Sequence, residues 1–182
     1  MILGLVILFI STTRASLDLF KNEDRENEIR NNPLTFRMIN KNGEVEQQTY
    51  KLTNAGLLPN SPFYGIKLIR DGIWLVLSQD QKKTRVALLL GDKRMIEAKN
   101  LLNIGNEKLA IKTANAAIDK LEYANYLNNN ADEQLQKQIF LAGFAYREIL
   151  KTRDKIEDVN NQNWIKLIQR INDWNKKMVE KI

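Results

Sequence analysis

From Leu57 onward the apolar residues recur at helical spacing; before it they do not. Asn60-Ser61-Pro62 reads as a helix start, because Ser61 offers a cap and Pro62 fits the first helical position, where a missing N–H costs nothing. The helix predicted from there to about Ser78 is apolar nearly all round: Phe63, Ile66, Ile69, Ile73, Trp74 and Leu77, with Leu68 and Val76. That composition predicts a central, largely buried helix.

A second helix is predicted over about Asp80 to Ile104. It gathers Ala87, Leu88, Leu90, Gly91, Met95, Ala98, Leu101 and Leu102 on one face and sets Asp92, Lys93, Glu97, Lys99 and Asn100 mostly opposite. Gly105 is placed to stop it with a left-handed cap. A third, about Asn106 to Leu127, carries an alanine-rich stripe (Ala110, Ala114, Ala117, Leu121, Ala124) flanked by Ile111 and Ile118, which lets a neighbour approach closely. Asn128-Asn129-Asn130 breaks it.

A fourth helix, about Asp132 to Glu157, is expected to bury Leu135, Ile139, Ala142, Tyr146, Ile149, Leu150 and Ile156. Phe140 and Phe144 lie on another face, so this helix should touch two neighbours. The last, from about Asn161, puts Trp164, Leu167, Ile168, Ile171, Trp174, Met178 and Ile182 on one side and Lys166, Arg170, Asp173, Lys177 and Glu180 on the other. The expected fold class is therefore all-α: an antiparallel helical bundle or short helical-hairpin array of about five helices over residues 57–182.

The upstream pattern differs. Ile2 to Ile10 is an unbroken apolar run, too short to span a bilayer, followed by Thr13-x-Ala15. Residues 1–15 read as a signal peptide, although no Lys or Arg precedes the run, and an uncleaved short anchor is the alternative. Residues 16–33 are dense in charge and amide and read as a polar tether. Residues 34–52 hold two β-prone stretches around Asn40-Lys41-Asn42-Gly43, a hairpin signal, though a lone two-stranded hairpin is marginal in water.

Charge and composition then narrow the chemistry. The 28 Lys+Arg and 22 Asp+Glu give +6; residues 51–182 alone carry 22 basic and 15 acidic side chains, a net of +7. The chain has no cysteine and no histidine. This removes disulfides, thiolate metal sites, the commonest general base and the usual partner of a catalytic serine. No Gly-rich phosphate loop or basic-aromatic strand motif appears, so neither nucleic acid nor a small-molecule substrate is expected, nor any cofactor or metal.

Two groups of charged residues stand out. Arg70-Asp71 with Asp92, Arg94 and Glu97 reads as an interhelical ion-pair network; the competing reading is a pair of carboxylates for acid/base work. In the last helix, Trp164 and Trp174 beneath Lys166, Arg170 and Lys177 form a candidate interaction surface for a membrane or partner helix, although packing onto the bundle explains the same stripe.

Leu58-Pro59-Asn60-Ser61-Pro62-Phe63-Tyr64-Gly65-Ile66-Lys67, then Arg70-Asp71-Gly72-Ile73-Trp74, Asp80-Gln81-Lys82-Lys83, Asp92-Lys93-Arg94-Met95-Ile96-Glu97-Ala98, and Leu101, Leu102, Gly105 and Asn106 follow one another in an order that resembles a bacterial exported domain-of-unknown-function family. That family is marked by an L-P-x-x-P-[FL]-Y-x-x-K helix start. The chain departs from it just upstream, where Thr53-Asn54-Ala55-Gly56 replaces a frequent Pro-Gly pair. The resemblance implies export and a helical fold, and transfers no catalytic residue.

The functional expectation is a non-catalytic, exported structural or interaction module of the bacterial cell envelope, meeting a protein, wall polymer or membrane surface. The alternative is a carboxylate-dependent enzyme acting on glycans.

Overall fold

The computed structural model describes residues 32–39, 44–129, 131–152 and 162–180. The expected signal segment, the tether up to residue 31, the hairpin turn, Ile156 and Ile182 lie outside the described residues. Within them the order is β1 (Asn32–Ile39), β2 (Val45–Leu52), α1 (Tyr64–Leu77), α2 (Asp80–Asn103), α3 (Glu107–Asn128), α4 (Glu133–Lys151) and α5 (Gln162–Val179). The molecule is a mostly helical bundle with a small antiparallel hairpin before it.

The helix ends follow local chemistry. Gly105 takes φ +75°, closing α2, and Asn106 then caps α3 by accepting from the Leu109 N–H at 3.4 Å. Asn129 ends α3 at φ +40°, and Asp132 Oδ1 caps α4 through the Leu135 N–H at 2.9 Å. Ser61 and Pro62 instead sit in a turn before α1, with the Ser61 N–H bonded to Leu58 O at 2.9 Å; the helix starts at Tyr64.

The hairpin is held by what it packs on. Strand β1 pairs antiparallel with β2, Asn32 opposite Leu52 and Ile39 opposite Val45, so Asn32 and Pro33 belong to a strand and not to the tether. Phe36, Tyr50 and Leu52 are buried in the core. Phe36 stacks on Phe144 of α4 with centroids 6.3 Å apart, and Phe140 meets Phe144 at 4.9 Å. The second neighbour predicted for the phenylalanine face of α4 is thus this hairpin.

Helix α2 occupies the centre: α1, α3, α4 and β2 all contact it. From Val86 to Ala98 every residue but Lys93 is buried. Its closest partner is α3, whose Ala110, Ala114, Ala117, Leu121 and Ala124 are all buried, so short side chains let the two helices lie close. The α4–α5 contact also depends on a missing side chain. A Cβ at Gly143 would run into the Trp174 ring and Asn175 Oδ1, and Asn175 Nδ2 donates to the Gly143 carbonyl at 3.1 Å.

Two expectations about burial are corrected. Helix α1 is peripheral, not central: only Lys67, Asp71, Trp74 and Leu75 of it are buried. Asp92 and Glu97 do not lie on the solvent side of α2; both are 0% exposed. The causes differ: α1 turns its charged stripe inward onto Arg94 and Glu97 of α2, whereas Asp92 is buried because α2 has neighbours on several sides.

Candidate functional site

The charged residues of α1 and α2 meet in the interface between the two helices. Lys67 and Asp71 share with Trp74 and Leu75 the stripe of α1 that faces inward, and Ser78, just past the helix end, is buried beside them. Arg94 and Glu97 lie one turn apart on α2. Glu97 Oε2 accepts from the Tyr64 hydroxyl at 2.6 Å and from Arg94 at 2.8 Å, while Glu97 Oε1 is ion-paired to Lys67. Arg94 also reaches the Tyr64 hydroxyl and Asp71 Oδ2, the latter at 3.2 Å. Arg70, about one-third exposed, closes the chain on Asp71 Oδ1 at 2.7 Å.

The lysine is saturated. Its ammonium has three protons, and it donates to Glu97 and to the carbonyls of Ala55 and Leu57, each carbonyl at 3.2 Å. Burial pulls the Lys67 pKa below the usual lysine value, with the bond to Glu97 opposing that pull. Burial, and then the bond it donates to Glu97, push the Tyr64 hydroxyl well above the usual tyrosine value, so it stays a donor. The Arg94 guanidinium lies 5.0 Å from the Tyr64 ring centroid and adds a cation–π contact.

A second buried carboxylate sits deeper. Asp92 accepts from the Tyr50 hydroxyl at 3.0 and 3.1 Å and from the Tyr146 hydroxyl at 3.0 Å. This one side chain joins the hairpin, α2 and α4. Gly91 makes room for it, since a Cβ there would stand 2.7 Å from Tyr146 Oη. Lys93, next in sequence, is half-buried, with Nζ 5.4 Å from the Trp74 ring centroid; burial brings its pKa down to about 8.

The ion-pair reading of Arg70, Asp71, Arg94 and Glu97 therefore has its contacts, but in a buried interface rather than on an exposed one. Asp92 belongs to the tyrosine clamp instead. Sequence reasoning missed Tyr64 and Lys67 as members, although Tyr64-x-x-Lys67 and Arg94-x-x-Glu97 were the i, i+3 pairs inside the two segments that carried the family resemblance. It missed Tyr50, and it placed Tyr146 in the core without its bond to Asp92, because nothing local marks a tyrosine whose partner lies 42 or 54 residues away.

The candidate surface of α5 divides. Trp164 and Trp174 are core residues, as the bundle-packing alternative required. Lys166 and Lys177 are exposed. Arg170 is spent on α3: it bonds Asp119 and Glu122 at 2.7 Å and Asn115 at 3.2 Å.

What α1 leaves outside is the more unusual surface. From Phe63, which precedes its first turn, to Leu77 nine positions are exposed, and all are apolar or glycine: Phe63, Gly65, Ile66, Leu68, Ile69, Gly72, Ile73, Val76 and Leu77. Phe63 is 63% exposed, Ile69 62% and Val76 74%. Monomers rarely bare a contiguous apolar patch beyond a few hundred Å². Among the described residues no helix is long and apolar enough to cross a membrane, and no three acidic side chains are grouped to hold a metal ion.

A family model described as Domain of unknown function (DUF5667) matches residues 56–181. No curated protein and no solved structure matches the chain.

Proposed function

The chain belongs to the DUF5667 family, and from that premise we propose that it is an exported, non-catalytic docking module of the bacterial cell envelope. It presents the outward face of α1 to a partner. The observation that carries this reading is the inversion of α1, with an ion-paired face turned inward and an uncharged apolar face turned to solvent. Evolution of a merely soluble bundle would place Lys67 and Asp71 outside and Ile69 and Val76 inside, at lower cost on both faces. The network makes sense as the mount that fixes α1 in an orientation its hydrophobicity alone opposes. The lead sequence supports export, with its apolar run, Thr13-x-Ala15 and polar spacer.

The glycan-enzyme alternative draws less support. Asp71, Asp92 and Glu97 are the inward-facing carboxylates of the two helices, and each already accepts bonds from Arg, Lys or Tyr. A catalytic acid or base needs a lone pair or proton free for the substrate.

Cell fractionation tests the proposal. The full chain is expected in the envelope fraction, and Ile69→Glu/Val76→Glu is expected to reduce its retention there while leaving the amount of folded protein unchanged. Wild-type protein in the cytoplasmic fraction, or a double variant distributed like wild type, overturns it. Reversing Lys166 and Lys177 to Glu serves as the comparison, since it probes the basic face of α5 instead.

A further inference from the structure

The outward face of α1 carries one inference further, which rests on the docking reading above and names the occupant. Two of its nine exposed positions are glycines, Gly65 and Gly72, seven residues apart in a helix. Glycine inside a helix is a standing cost against alanine. The fold of the single chain does not ask for either one: a Cβ added at Gly65 or Gly72 meets nothing within 4 Å. The contrast with Gly91 and Gly143 is direct, because there an added Cβ strikes a buried neighbour. Beside the two notches run Ile66, Ile69, Ile73 and Val76, at steps of three, four and three residues. That is the spacing of a seam which packs on another helix, and small residues along such a seam let the backbones come close.

We propose that this face is the two-fold contact of a homodimer, α1 of one copy lying across α1 of a second. The isoleucines of each copy sit over the glycine notches of the other. Three observations favour a second copy over other occupants. A two-fold contact uses one patch twice, so the patch must be complementary to itself, and this one carries ridge and notch side by side. The chain has a formal charge of +6, so two copies repel in general; they approach most cheaply on a face whose exposed positions are all uncharged, with Arg70 at its rim paired to Asp71. Seven large side chains, from 37% to 74% exposed, make a patch on the order of 500 Å². Doubled, that is about 1,000 Å², the lower bound for a specific interface. A bilayer surface rewards apolar area and gains nothing from notches, which remove it.

The absence of cysteine gives a clean test. The full chain in detergent-free buffer is expected to pass from monomer to dimer as its concentration rises through the micromolar range, read by light scattering or sedimentation. Ile69→Cys should form an inter-chain disulfide under mild oxidation, whereas Lys137→Cys, on exposed α4 surface, should not. Ile69→Glu/Val76→Glu should weaken association at least about tenfold with the helical circular dichroism unchanged. Gly72→Ala should weaken it too while raising the melting temperature of the monomer, a split that a purely structural role for the glycine does not give. A chain that stays monomeric up to hundreds of micromolar, or a dimer that survives Ile69→Glu/Val76→Glu, overturns the homodimer. If that monomer still loses its envelope retention in the double variant, the docking reading stands and the second copy is not its occupant. A monomer that floats with anionic lipid vesicles, and not in the double variant, assigns the face to lipid and likewise overturns the homodimer.

Discussion

Helices α1 and α5 are both amphipathic surface helices, and they are mounted in opposite senses. In α5 the apolar stripe of Trp164, Leu167, Ile171, Trp174 and Met178 is buried, and Lys166 and Lys177 face water. In α1 the buried stripe contains Lys67 and Asp71, and Phe63, Ile69 and Val76 face water. The hydrophobic effect orients α5 unaided, since each large apolar side chain it buries is worth roughly 1.5–3 kcal/mol. For α1 that same effect runs against the observed orientation, so the buried polar contacts must outweigh it. They can do so because none of them is half-made. Lys67 finds three acceptors, and Glu97 is met by Tyr64, Lys67 and Arg94. A buried network is worth having only in that complete state.

Several substitutions break or sharpen this contrast. The largest effect is expected in α5, where Trp164→Ala should cost about 4 kcal/mol in urea unfolding. Ile69→Gln on α1, measured at concentrations too low for association, should stay within about 0.5 kcal/mol. A large loss at Ile69 would mean that the outward face is packed. Next comes Glu97→Gln, which strands Lys67 without its countercharge, leaves Arg94 with Asp71 alone, and should cost about 3 kcal/mol. A small cost there would show that burial of Trp74 and Leu75 alone holds α1 in place. Smaller and opposite in sign, Gly65→Ala should stabilise the dilute monomer by roughly 0.5–1 kcal/mol, because the site is open and helical.

A pH slope separates α1 from α2 as well. Burial brings the Lys93 pKa down to about 8 in the fold, from 10.5 for a lysine in water. Between those values the unfolded chain binds a proton that the folded chain does not, so stability should rise with pH from about 8 toward 10. Tyr64 acts oppositely, its raised pKa removing stability once the pH passes the ordinary tyrosine value. Thermal melts across this range should show the rise for the native chain and a flatter profile for Lys93→Met.

Much of the architecture was legible in the sequence because its determinants are local. Gly105, Asn129 and the Asp132 cap set the helix ends, and the alanine stripe of α3 gave its packing face. The hairpin signal was also local, and what made the hairpin hold was not, since Phe36 and Tyr50 depend on Phe144 and Asp92. The orientation of α1 was not legible for the same reason. Counting apolar positions weighs each residue by its own transfer energy, whereas Lys67 is buried because Glu97, thirty residues on, is waiting for it. Asp92 misled similarly: its solvent-side assignment assumed one buried face on α2, and the helix has neighbours on several sides.

The register of the hairpin has a mechanical consequence. Asn32, the first described residue, lies opposite Leu52, and Tyr50, two residues earlier on the same face of β2, is bolted through Asp92 to α2 and α4. A pull applied at Asn32 is therefore delivered to the end of the hairpin near the Tyr50–Asp92–Tyr146 clamp, and not to the end at Ile39 and Val45. Clamped in this way, the body resists being pulled open at that end.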